Sequence, residues 1–264
     1  MLKKAPAILC DLEGTLYLGD TAVPGATAAI AELRTIGCPL RFVTNIDSRM
    51  ESEVLSQLRL RGFDIRDEEL FLPTTAARKF LAAQPGASVL MVSSSAVRRS
   101  LRQFESAEPV THVIVGDCRE ALSYALLDEA FRALEAGATL LALQRSRFLI
   151  AEDGHHLDTG AIVAALEYSS GQAAQVLGKP SPEFGELAVA SLGLQPNNIR
   201  ADGVWVVGDD ATTDIAMGTA IGATTVQLRT GKFANQAAER MIHPATFGLD
   251  SIAELPELIR SVLT

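Results

Sequence analysis

Short apolar runs alternate along this chain with longer stretches in which apolar residues recur every three or four positions. The first kind predicts buried strands and the second amphipathic helices. Residues 6–10 read as a strand. Residues 24–36 read as a helix, with Pro24 at its start and Gly37 as its stop. Residues 39–45 (PLRFVTN) are a second strand. Residues 48–61 are a second helix, opened by Ser48 as N-cap with Glu51 three residues on. Strand, helix, strand, helix with short links is a parallel α/β pattern.

The middle repeats the theme. Strands are predicted at 87–92, 111–116 and 138–144, with helices at 120–136 and 159–170. The tail returns to helix (181–192), strand (204–210), helix (212–221), strand (224–228) and helix (251–263). No Pro/Gly-rich linker and no internal repeat separates these parts. The middle therefore reads as an insertion into one core rather than as a separate bead.

Composition narrows the class. With 264 residues, 48% hydrophobic and 21% charged, the chain has length for one large or two unequal globular domains. The net charge of -9, without a basic block, offers no electrostatic footprint for nucleic acid or an anionic membrane. Arg98, Arg99 and Arg102 cluster at helical spacing, as on a solvated face. Cys10, Cys38 and Cys118 make neither a disulfide framework nor a Cys-x-x-Cys metal site, which fits free thiols in a reducing compartment. The first apolar run meets an acid too soon for a signal peptide, and no run reaches the ~18 apolar residues of a spanning helix. A cytoplasmic protein is expected.

The candidate chemistry sits where the predicted strands end, which is where open parallel sheets bind ligands. Asp11 and Glu13 follow the first strand, and Thr44 and Asn45 the second. Asp209 and Asp210 follow the run VWVVG, with Asp214 in the next turn, and Lys179 precedes a helix in LGKPSPEF. Singly, each is an ordinary turn former, cap or surface charge. Together, acids from two strand ends can hold a hard cation such as Mg²⁺. A lysine with a Thr/Asn pair supplies donors for a phosphate, and offsets the repulsion between a carboxylate nucleophile and an anionic phosphoryl group.

The stretches DLEGTL, VTN, GKPSPEF and VVGDDATTD, in that order, resemble the four motifs of the haloacid dehalogenase superfamily. The large insert between the second and third resembles the NagD-like subfamily with its C2-type cap. AVPGA, LRFVTN, ALEY and RTGKF are similar to the branch that holds phospholysine phosphohistidine inorganic pyrophosphate phosphatase and the related haloacid dehalogenase-like hydrolase domain-containing protein. The resemblance runs over about 5–263. It implies an α/β fold: a Rossmann-like parallel-sheet core at 1–75 and 178–264, with an inserted α/β cap at 76–177 that sets specificity.

The resemblance further implies a Mg²⁺-dependent phosphatase acting on a small phosphorylated metabolite through an aspartyl phosphate. Asp11 would be the nucleophile. Glu13 stands where the family has its second Asp, the general acid–base, and its backbone carbonyl would ligate Mg²⁺ with Asp11 and Asp209. Thr44, Asn45 and Lys179 would bind the phosphoryl oxygens. Asp210 and Asp214 would position metal-bound water or Lys179. Because Glu adds a methylene, proton transfer is expected to suffer and turnover to be slow. The alternatives are a phosphotransferase using the same Asp11 and a catalytically weakened scaffold protein. On the insert, Arg145 and Arg147 are candidates for a second anionic group of the substrate, against a solvated strand edge. His155 and His156 are expected in a hairpin turn. The resemblance also implies a homodimer paired through the cap.

Overall fold

Four consecutive buried residues, Ala7–Cys10, form an interior strand of a six-stranded sheet. A strand covered on both faces needs no polar alternation, which is why its sequence is a continuous apolar run. The sheet order is Phe247–Leu249, Thr224–Leu228, Val204–Gly208, Ala7–Cys10, Leu40–Val43, Leu70–Phe71. Every neighbouring pair is parallel. This is the expected Rossmann-like arrangement, and it brings all six carboxyl ends to one edge. The computed structural model describes residues 4–105, 108–151 and 154–263.

The chain divides into two units. One comprises Met1–Thr44, Glu51–Phe71 and Lys179–Thr264; the other comprises Asn45–Met50 and Leu72–Gly178. The second unit has its own four-stranded parallel sheet, ordered Gln175–Val176, Thr139–Ala142, His112–Val115, Val89–Val92. Tyr124–Glu135 and Thr159–Ser170 pack on it through Ala130, Leu134, Val163 and Leu166. The helix Pro73–Ala82 was not expected from the apolar pattern, and the whole of it belongs to this unit.

Local differences have local causes. The second helix of the first unit starts at Glu51, so Ser48 is not its N-cap; residues 45–50 instead pack with the second unit. The helix expected over 120–136 runs Tyr124–Glu135, capped by Ser123, whose hydroxyl accepts from the Leu126 N–H. His155 and His156 lie on the strand Gly154–Leu157, paired with Phe148–Ala151, rather than in the turn. The His155 ring stacks on Phe148 with centroids 4.6 Å apart.

Candidate active site

The parallel register fixes the centre of the site. Cys10 pairs with Val207, and the Asp11 N–H donates to the Val207 carbonyl at 2.9 Å. Asp11 and Asp209 thus leave adjacent strands side by side. Their approach depends on Gly14, whose φ is 94°. A Cβ there would fall 2.4 Å from the Asp209 carboxylate, so only glycine lets the turn after Asp11 close over Asp209.

Asp210 opens a wide, π-helical turn, Ala211–Ile215, of the kind found at functional sites. The turn swings Asp214 back beneath the strand ends. Lys179 Nζ donates to Asp11 Oδ1 at 2.5 Å and to Asp214 Oδ1 at 2.7 Å. Asp11, Lys179, Asp209 and Asp214 are all buried.

One carboxylate oxygen from each of Asp11, Asp209 and Asp214 lies within 4.8 Å of the others. Three buried carboxylates face one ammonium, and the imbalance is visible in their protonation. Burial, with Asp11 and Asp210 adding to it, pushes the Asp209 carboxyl up to about 7. Burial and the neighbouring carboxylates push Asp214 up, against the pull of Lys179. For Lys179, burial works against the charge, but Asp11 and Asp214 outweigh it and hold the ammonium above its ordinary range. Asp11 Oδ2 is buried with no hydrogen-bond partner. An orphaned carboxylate oxygen in an excess of negative charge, with hard oxygen donors around it, fits a divalent cation such as Mg²⁺.

The remaining expected residues divide. Thr44 is buried directly after the strand Leu40–Val43, which is parallel to Ala7–Cys10. Asn45 belongs to the second unit, where a Cβ on Gly178 would lie 2.9 Å from its Oδ1. Asp210 does not touch Lys179; its carboxylate is held by Lys232, Gln236 and Thr212. Glu13 is exposed, and among the described residues its side chain has neither a hydrogen bond nor an ion pair. Arg145 is paired with Glu167 and Arg147 is exposed. Lys232 and Gln236 were not expected as site residues. Lys232 stands in the RTGKF stretch that supported the resemblance, whereas nothing in the local sequence marks Gln236.

A parallel sheet carrying acids at two adjacent strand ends, bridged by a lysine, is the layout of a haloacid dehalogenase-type hydrolase. Family models for haloacid dehalogenase-like hydrolases match residues 8–106 and 176–255. The chain is 34% identical to human haloacid dehalogenase-like hydrolase domain-containing protein 2, over 90% of this chain and 89% of that protein. It is 32% identical to human phospholysine phosphohistidine inorganic pyrophosphate phosphatase, over 96% and 93%. The p-nitrophenyl phosphatase from Archaeoglobus fulgidus superposes with a TM-score of 0.87 at 27% identity, over 97% of this chain and 99% of that one. The chain belongs to the haloacid dehalogenase-like hydrolase family and is a phosphatase-type hydrolase within it.

Proposed function

We propose that this protein is a Mg²⁺-dependent phosphatase that hydrolyses a small phosphorylated metabolite by transferring the phosphoryl group to Asp11. The observation that carries this is the Asp11 carboxylate. One oxygen is fixed by Lys179 and the other is buried without a partner. In that arrangement the lysine holds the nucleophile in one orientation and offsets its repulsion from the incoming phosphoryl oxygens.

Asp11, Asp209 and the Glu13 carbonyl would hold the cation, which supplies charge neutralisation for the phosphoryl group when bound. Asp214 keeps Lys179 charged and aimed. Thr44 and Asn45, at the end of the second strand, are the further donors for the phosphoryl oxygens. Proton transfer to the leaving oxygen falls to Glu13. Its exposed, unpartnered side chain is not pre-positioned, which supports slow turnover rather than loss of the reaction. The same feature leaves room for the phosphotransferase reading, in which an acceptor alcohol replaces water. The unit that carries Asp11, Lys179 and Asp209 would act as the catalytic core, expected at 1–75 and 178–264, and the inserted unit, expected at 76–177, as the specificity cap. With Arg145 engaged by Glu167, Arg147 is the freer of the two candidates for a second anionic group.

No helix among the described residues is long and apolar enough to cross a membrane. A cytoplasmic homodimer that binds neither nucleic acid nor membrane completes the reading; sedimentation measures the oligomer. The deciding assay is phosphate release from p-nitrophenyl phosphate with and without Mg²⁺, with and without added alcohols. Mg²⁺-dependent release that vanishes in Asp11→Asn is the expected result. Release unaffected by that substitution overturns the reading.

A further inference from the structure

Asp210 sits beside Asp209, yet its carboxylate is already taken up by four donors from this chain. Oδ1 accepts from the Thr212 N–H at 2.8 Å, the Thr212 hydroxyl at 2.7 Å and Gln236 Nε2 at 2.8 Å. Oδ2 accepts from Lys232 Nζ at 2.8 Å. Gln236 closes the arrangement, since its Oε1 accepts from the Ala211 N–H at 2.8 Å. One amide side chain therefore holds both the Asp210 carboxylate and the Ala211 N–H.

The same segment of chain reaches Asp209. The Lys232 N–H donates to Asp209 Oδ2 at 2.7 Å. Gly231 lies against that carboxylate with φ 50°, and a Cβ on it would fall 2.1 Å from Oδ2. The Thr230 hydroxyl donates to the Gly14 carbonyl. Asp209 is thus walled by backbone on two sides, Gly14 on one and Gly231 on the other. Gln227, on the strand leading into this turn, holds the Asp209 carbonyl at 3.1 Å.

We propose that the turn Thr230–Gln236 belongs to the cation-holding apparatus, with Lys232 and Gln236 as positioning residues that fix Asp210 and through it the Asp209 carboxylate. Partners that orient a metal ligand govern affinity nearly as much as the ligand does. The inference rests on the Mg²⁺ reading above and adds to it a part of the chain outside the four motif stretches.

The sign of one substitution separates positioning from a bulk charge effect. Removing a positive charge near a cation site tightens cation binding if the field alone matters. It weakens binding if Lys232 acts by holding Asp210 in place. Mg²⁺ binding to wild type, Lys232→Met, Lys232→Arg and Gln236→Leu is measured by titration calorimetry, alongside thermal melting and the Mg²⁺ dependence of p-nitrophenyl phosphate hydrolysis. We expect the Mg²⁺ dissociation constant to rise by about 10-fold or more in Lys232→Met and Gln236→Leu. Lys232→Arg, which keeps charge and donors, stays close to wild type. Unchanged or tighter Mg²⁺ binding in a folded Lys232→Met protein overturns the proposal; should Gln236→Leu fail to fold, the Met/Arg pair still decides. Wild type that binds no Mg²⁺ overturns the metal reading itself, a result distinct from the failure of the turn's role.

Discussion

The two units treat their buried acids in opposite ways. Beside the six-stranded sheet, Asp11 and Asp214 share the Lys179 ammonium. In the second unit, Asp47 is equally buried, but its carboxylate is met by the Thr159 hydroxyl, which donates to Oδ2 at 2.7 Å, and by its own backbone N–H. No ammonium or guanidinium among the described residues is bonded to it. The nearby Arg119 is spent on Asp117, whose carboxyl that contact holds below the ordinary range. Burial therefore pushes the Asp47 carboxyl up to about 7, with Asp158 and Asp117 adding and the Thr159 hydroxyl opposing. A buried carboxylate kept charged by a cation is ready for chemistry. One left to neutralise itself is a structural hydrogen-bonding group.

The harshest way to break the comparison is Asp11→Asn. The amide keeps the shape and removes the nucleophile, so turnover should fall by roughly 10⁴-fold or more, as when a nucleophile is deleted elsewhere. Steady-state phosphate release measures it. Retained turnover would place the reaction at some other group and dissolve the distinction between the two clusters.

Lys179→Met follows in size. It leaves Asp11, Asp209 and Asp214 facing one another with no internal cation. Removing one partner of a buried pair costs about 3–5 kcal/mol, and urea denaturation in the absence of Mg²⁺ should register a loss of that order. Added Mg²⁺ should recover part of it, because a ligand bound only by the folded state stabilises that state. The equivalent test in the second unit has no lysine to remove.

Asp47 supplies a pH signature instead. Its folded carboxyl titrates at about 7, above the ~3.9 of an unfolded aspartate. Between those values the folded state holds the extra proton, so stability falls as pH rises and levels off above about 7. Asp47→Asn keeps an acceptor for Thr159 and removes the titration. The stability of wild type relative to Asp47→Asn should therefore drop by roughly 2–3 kcal/mol from pH 5 to pH 8. Denaturation curves at both pH values test this; a constant difference would show that Asp47 stays ionised without a cation and remove the contrast.

The Asp11–Lys179–Asp209 side of this comparison was more legible in the sequence than the Asp47 side. Continuous apolar runs ending in acids mark interior parallel strands, and adjacency of the strand ends then follows from the topology. Asp47 was unreadable because its partner Thr159 is 112 residues away. Distance along the chain hid Arg145 in the same way, since its partner Glu167 sits on a helix 22 residues later. Ser48 failed as a cap because the capping pattern assumes that the chain runs straight into the helix. Here residues 45–50 pack with the other unit first. The helix Pro73–Ala82 buries mostly small side chains, Thr74, Ala76 and Ala77 beside Leu81, and such a face leaves a faint apolar period. Pro73 at its first position was the available signal.

Glu13 marks the edge of the charged cluster, and the smallest predicted effect sharpens where that edge lies. Two residues from Asp11, it is outside the hydrogen-bond network that fixes Asp11, Lys179 and Asp214. A group that donates or accepts a proton must reach about 2.6–3.2 Å from its target, and an unheld side chain samples that geometry only part of the time. Glu13→Asp removes the extra methylene and shortens the reach to that of the family's usual residue. Turnover should rise by about 10-fold, the low end of the 10²–10⁴-fold span of general acid–base help less what the native Glu already provides. Glu13→Gln should cost at most the help that remains, leaving Mg²⁺ binding intact because the backbone carbonyl is unchanged. Single-turnover rates for the three proteins decide the matter. If Glu13→Gln were as inactive as Asp11→Asn, the side chain would have to swing in and work at full strength, and the boundary drawn here between held and unheld acids would move outward by one residue.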